Sequence, residues 1–267
     1  MMEEKQLLYK NANLYYNILG KGNPVVLLHG FAEDSSIWDG IAVNLSAQYR
    51  LLIPDIAGSG KSTLLAGNNI GMQDYAECIF SILTKENIKE CVMIGHSMGG
   101  YITLAFAQKY PQMLKAIGLF HSSAFADDEA KIETRNKAIE FIRQNGSHAF
   151  LKTSIPGLFA NAIKSNPDID HLIAKGKVFL PDALIQYYKA MIDRPDRTEV
   201  FRTYPLPVLF VLGMHDKAVP FEQGLRQSYL PFLSHIKIFR HSAHMGMLEE
   251  KEKAFRILAD FLHSVYV

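Results

Sequence analysis

A pentapeptide, Gly95-His96-Ser97-Met98-Gly99, joins an apolar run at Cys91 to Ile94 to a helix-like run that starts at Gly100. The first run reads as a buried strand. Glycines on both sides of the serine permit a strand-to-helix turn too tight for side chains. Strand, sharp turn and helix in that order point to an α/β protein. The same turn lifts the Ser97 hydroxyl above the sheet edge. A histidine can reach it there, and the Met98 N–H can face a developing oxyanion.

The rest of the chain repeats the strand-then-helix rhythm. Leu14 to Leu19, Val25 to Leu28, Arg50 to Ile53, Ala116 to Phe120, Pro207 to Leu212 and Ile236 to Phe239 read as strands. Trp38 to Leu45, Asp74 to Thr84, Gly100 to Tyr110, Glu222 to Leu230 and Glu249 to His263 read as helices. Several strands are unbroken apolar runs, the pattern of a mostly parallel sheet covered by helices on both faces. From about His121 to Tyr204 the rhythm breaks. Helix-like pieces at 127–145, 147–151, 169–175 and 183–192 follow one another, punctuated by Pro156-Gly157, Pro167 and Pro181. This stretch reads as a helical insertion over the carboxyl ends of the strands; the alternative is extra helices against the side of the sheet.

Open α/β sheets bind ligands at the carboxyl ends of their strands. Ser97 follows one such end, Asp216 follows Val208 to Leu212, and His244 follows Ile236 to Phe239. Serine, aspartate and histidine in that order match a known triad arrangement. A serine hydroxyl is a poor nucleophile at neutral pH, so His244 would take its proton and Asp216 would hold the useful imidazole tautomer. Asp193 and Asp196 compete with Asp216 but sit in the insertion rather than at a strand end. His215, His235 and His241 compete with His244, and His29 and His96 suit packing and loop hydrogen bonding. Gly30 lets the backbone turn away after Val25 to Leu28, so the Phe31 N–H can join that of Met98 as an oxyanion hole.

Composition removes other classes of function. In 267 residues, 28 basic and 27 acidic side chains leave a net charge of +1, without the basic stripe of a nucleic-acid binder. Gly58-Ser59-Gly60-Lys61-Ser62 imitates the end of a phosphate-binding loop, but Asp55 occupies the position where the first glycine is required. No Cys/His array has zinc spacing, and Cys78 and Cys91 read as buried free thiols. No cofactor or metal is expected. The start lacks an apolar core of signal-peptide length and no run is long enough to span a membrane, so the expected compartment is cytoplasmic. The expected partner is a small-molecule substrate.

These motifs together resemble the α/β-hydrolase superfamily, in its capped, fold-1-like branch. The resemblance covers roughly 10–120 and 205–265. It is carried by His29-Gly30-Phe31, the loop from Pro54 to Ser62, Gly95 to Gly100, Gly213-Met214-His215-Asp216, and His244. It implies an eight-stranded, mostly parallel sheet, a core domain of 1–120 and 205–267, and an inserted helical cap of 121–204. It further implies Ser97 as nucleophile, Asp216 as acid, His244 as base, and the Phe31 and Met98 amides as oxyanion hole. Relatives usually carry histidine where Ser59 stands, a position that looks structural. Dehalogenase-like and epoxide-hydrolase-like relatives use an aspartate nucleophile, which Ser97 argues against. The expected activity is carboxylesterase-like: cleavage of an ester of a small, largely apolar substrate through an acyl-enzyme. Phe125, Phe141, Phe150, Leu158, Phe159 and Met191 are candidate substrate-binding walls. Alternatives are a C–C bond hydrolase, a lactonase, a haloperoxidase-like enzyme, or a non-catalytic small-molecule binding module.

Overall fold

The computed structural model describes residues 2–267. Its centre is one eight-stranded sheet in the order β1-β2-β4-β3-β5-β6-β7-β8. The strands are β1 (Glu3–Tyr9), β2 (Ala12–Leu19), β3 (Asn23–Leu28), β4 (Tyr49–Pro54), β5 (Cys91–His96), β6 (Leu114–Phe120), β7 (Pro207–Gly213) and β8 (Leu233–Phe239). β1 pairs with β2, and β2 with β4, antiparallel; every other pairing is parallel. All six residues of β5 are buried, so both faces of the sheet are covered at its centre. β2 instead alternates, burying Ala12, Leu14, Tyr16 and Ile18 on one face.

The helices are α1 (Asp39–Leu45), α2 (Met72–Lys85), α3 (Met98–Lys109), α4 (Glu129–Ser154), α5 (Asn166–Lys175), α6 (Pro181–Ile192), α7 (Glu199–Thr203), α8 (Phe221–Gln227), α9 (Gly246–Glu249) and α10 (Lys251–Tyr266). α2 packs on α3, and α1 on α10. α2 turns Tyr75, Cys78, Ile79 and Ile82 into the core at helical spacing, and Asp74 accepts from the Gly71 N–H at its start. No helix among the described residues is long and apolar enough to cross a membrane.

Between β6 and β7 the chain forms α4 to α7 and no strand. The two helical pieces expected at 127–145 and 147–151 are two helices that meet within α4 at Gly146, where φ is 81° and ψ 165°. That conformation is open to glycine alone, so the helix is interrupted there and the chain leaves in a new direction. Three elements, α7, the four-residue α9 and β1, were not legible in the sequence pattern. α7 is only five residues long. β1 is an edge strand with four of its seven residues exposed, so it lacks the apolar run that marks a strand.

Candidate active site

The turn after β5 holds Ser97 at φ 48°, ψ −115°, a strained conformation for a residue with a side chain. Its neighbours explain why the turn is glycine-rich. A Cβ on Gly95 would run into the Gly99 carbonyl, and a Cβ on Gly99 would lie 2.6 Å and 2.5 Å from the Leu28 and His29 carbonyl oxygens. The elbow is also fixed from outside. The Ser97 N–H donates to the Phe120 carbonyl at 3.0 Å, and the Ser122 hydroxyl donates to the Ser97 carbonyl at 2.7 Å.

Three strand ends converge on this serine. His244, in the loop after β8, places Nε2 2.9 Å from Ser97 Oγ, and its Nδ1 lies 2.8 Å from Asp216 Oδ2 after β7. The other Asp216 oxygen accepts the N–H groups of Ala218 and Val219 at 2.8 and 2.9 Å. Burial alone would push the Asp216 carboxyl up. The charge and hydrogen bond of His244, with the backbone donors, outweigh it and hold the group below the ordinary carboxylate range. Asp193 and Asp196 are not part of this chain of hydrogen bonds. Asp196 accepts from its neighbour Thr198 at 2.9 Å.

The His244 backbone is tied down at both ends. Its N–H donates to the Leu158 carbonyl at 2.9 Å, and its carbonyl accepts from His96 Nε2 at 3.0 Å. His29 Nε2 accepts the Ile56 N–H at 2.9 Å and sits 2.8 Å from the Ser59 hydroxyl, so this ring braces the loop at 54–62. In that loop Lys61 pairs with Glu4 at 2.5 Å, and its N–H donates to Asp55 at 2.9 Å. The N–H groups of Phe31 and Met98 have no hydrogen-bond acceptor among the described residues.

Two buried residues near the site had no sequence signal. Glu33 accepts the Gly30 N–H at 2.6 Å and His96 Nδ1 at 2.9 Å. The His121 ring, with Nδ1 3.6 Å from Asp216, makes no hydrogen bond; burial pushes it down to about 3, so it stays neutral. Neither follows a periodic pattern; His121 directly follows β6, but only the fold sets its ring near Asp216 and Glu33 against His96.

Ser97 and His244 open into a cavity of about 730 Å³ between the sheet edge and the insertion. Phe31, Phe150, Leu158, Tyr188 and Met191 give it an apolar wall, in which the Phe31 and Tyr188 rings stack at 4.4 Å. The other candidate wall residues lie elsewhere. Phe159 is buried in the core, Phe141 is exposed with its ring 6.2 Å from Phe150, and Phe125 lies beneath the Arg226 guanidinium at 5.4 Å. Helical spacing alone cannot tell a cavity wall from the insertion's own packing. Among the described residues no group of three or more His, Cys, Asp or Glu side chains is arranged to hold a metal ion.

Comparison with known proteins points one way. Residues 23–133 match the family model of the alpha/beta hydrolase fold. A 2-hydroxy-6-oxononadienedioate/2-hydroxy-6-oxononatrienedioate hydrolase of Pseudomonas is 24% identical over 263 residues, covering 94% of this chain and 92% of that protein. A thermophilic esterase from Thermogutta terrifontis, solved with malate bound, superposes with a TM-score of 0.92 at 24% identity, covering 99% of this chain and 100% of that one. The enol-lactonase of Burkholderia xenovorans superposes at 0.90 with 19% identity, covering 97% and 100%. Near-complete superposition at such low identity means that the shared property is the course of the chain: the protein has the α/β-hydrolase fold, and its residues 23–133 match the family model of that fold.

Proposed function

We propose that the protein is a serine hydrolase that cleaves carboxylic esters through an acyl-enzyme, with Ser97 as nucleophile, His244 as base and Asp216 as the acid that orients it. The observation that carries this reading is the unbroken chain Ser97 Oγ–His244 Nε2 (2.9 Å) and His244 Nδ1–Asp216 Oδ2 (2.8 Å), built on a strained elbow. Ser97 Oγ attacks the ester carbonyl while its proton passes to His244 Nε2. The Phe31 and Met98 N–H groups, free of other acceptors, take the charge that develops on the carbonyl oxygen. The tetrahedral adduct collapses, breaking the C–O bond, and His244 returns its proton to the departing alcohol. Water then gives a proton to His244 and its oxygen to the acyl carbon. The acid is released and Ser97 regains its proton.

In this reading 1–120 and 205–267 form the catalytic core and 121–204 acts as a cap whose Phe150, Leu158 and Met191 contact the substrate. A fluorophosphonate should add mass at Ser97 in wild type and not in Ser97→Ala. Asp216→Asn should keep the fold and lower kcat by about three to four orders of magnitude, because the imidazole takes the wrong tautomer. Unlabelled, folded wild type would end the serine-hydrolase reading. C–C bond cleavage is the second reading, favoured by the Pseudomonas hydrolase that matches along nearly the whole chain. A panel holding both a simple ester and a vinylogous diketone separates the two by which has the higher kcat/KM.

A further inference from the structure

The cavity is apolar on one side only. Lys131, Arg135, Lys217 and Arg226 also border it, against Asp128 and Glu33. Both acids are already engaged. Glu33 accepts from His96 and Gly30, and Asp128 caps α4 by accepting the Lys131 N–H at 2.8 Å. Behind this wall lies Asp127, whose side chain has no exposed surface. It accepts from Arg135 Nε at 2.6 Å and Arg194 Nη2 at 2.9 Å, with Lys131 Nζ 3.9 Å away. One carboxylate therefore faces two guanidinium groups and an ammonium group, which leaves positive charge uncompensated at the cavity.

Arg135 bonds Asp127 through Nε at 2.6 Å and Nη2 at 3.4 Å, which leaves one arm of its fork for the cavity. Its Nη1 meets only the Met191 sulfur, at 3.2 Å, a weak acceptor for a guanidinium. Beside it is Tyr101, one helical turn after Ser97 on α3, 3% exposed and bordering the cavity. The Arg194 guanidinium lies over its ring at 4.0 Å, yet its hydroxyl has no hydrogen-bond partner in the protein. Burial should push this phenol up, but the charges of Arg194, Lys131 and Arg135 bring it below the ordinary tyrosine range. The Tyr101 hydroxyl, which reaches the cavity without a partner in the protein, and a guanidinium facing a thioether are both unsatisfied donors next to positive charge, and a carboxylate satisfies both.

We propose that Arg135 and Tyr101, with Lys131 adding charge, form a subsite for a carboxylate on the substrate, so that the enzyme acts on carboxylate-bearing esters. The hydrocarbon between the two ends lies along Phe31, Tyr188 and Met191. The inference rests on the serine-hydrolase reading for the reacting end alone; the subsite itself is a matter of binding.

Two matched pairs test it: monomethyl adipate against methyl hexanoate, with the charge on the acyl side, and 6-acetoxyhexanoate against hexyl acetate, with the charge on the alcohol side. At least one charged ester should exceed its neutral partner in kcat/KM by about tenfold or more, the order expected for a charge-assisted pair. The pair that shows it tells which side of the ester carries the charge. Arg135→Gln and the near-isosteric Tyr101→Phe should each shrink that ratio, and Arg135→Lys should restore part of it. A ratio near one in both pairs, or one untouched by both Arg135→Gln and Tyr101→Phe, would overturn the subsite. Calorimetric titration of monomethyl adipate into Ser97→Ala, with and without Arg135→Gln, separates the two readings. Arg135-dependent binding without turnover of any ester keeps the subsite and removes the hydrolase; ester turnover with no such binding does the reverse.

Discussion

Glu33 and His96 form a buried pair directly behind the contact between Ser97 and His244. A carbonyl can only accept, so His96 Nε2 carries a proton toward the His244 carbonyl, and Nδ1 faces the Glu33 carboxylate. Burial alone would raise Glu33 and lower His96. The charge of each partner outweighs this, so the Glu33 carboxyl sits below its ordinary value of 4.5 and the His96 ring above its ordinary 6.5. A lowered carboxyl stabilises the fold above its unfolded value and loses that contribution as pH falls through the folded one. A raised histidine stabilises below 6.5 and loses its contribution as pH climbs through the folded value. The stability difference between wild type and Glu33→Gln should therefore be largest near pH 5 to 6 and shrink in both directions, as read from urea midpoints between pH 3.5 and 9. A difference that is flat with pH would mean that the pair is neutral. The sequence marks His96 for loop hydrogen bonding, and it does bond to the His244 loop. Glu33 carried no signal, because it lies in the loop after β3 and its partner, at the end of β5, is 63 residues away.

At the scale of elements, the bend in α4 decides which aromatic rings meet the cavity. Past Gly146 the helix changes course, and Phe150 lies edge-on to Phe31 at 6.4 Å and to Tyr188 at 5.9 Å. Phe141, before the bend, stays exposed. Phe150→Ala should shift the acyl-length profile on p-nitrophenyl esters toward longer chains, because about 1 kcal/mol per buried methylene becomes available in the space it vacates. Phe159→Ala removes a ring from the insertion's core instead. It should cost roughly 3 kcal/mol of stability while the profile keeps its shape. Equal shifts in profile for the two variants would contradict this division. The apolar positions of the insertion were legible in the sequence, but their direction was not, since one glycine reorients everything that follows it.

Across the whole molecule, the two thiols report on global opening. Cys91 lies in the central strand β5 and Cys78 on the inner face of α2, and burial pushes both up to about 12. Neither is ionised or accessible in the folded protein, so a thiol-reactive disulfide should label both at the rate of unfolding and with the same urea dependence. Labelling of one thiol well ahead of the other in native buffer would mean that the sheet and the helix layer open separately.

What the sequence determined by itself is the material that repeats locally: buried apolar runs, the helices between them, the glycine elbow, and the placement of Ser97, Asp216 and His244 just past three strand ends. Each depends on neighbours in the chain, and hydrophobic periodicity records such neighbours faithfully. Tertiary structure alone decided three things. β1 joined the sheet because β2 offered an unpaired edge, although β1 lacks a core pattern of its own. Phe150 rather than Phe141 borders the cavity because α4 bends between them, and Phe159 packs into the core. Basic side chains from α4 and from the loop and helix after β7 were brought to the wall of the same cavity that Ser97 borders. All three depend on residues far apart in the chain. The energy of burying a charge, a ring or a strand edge is set by what the fold places against it, not by the residues beside it in sequence.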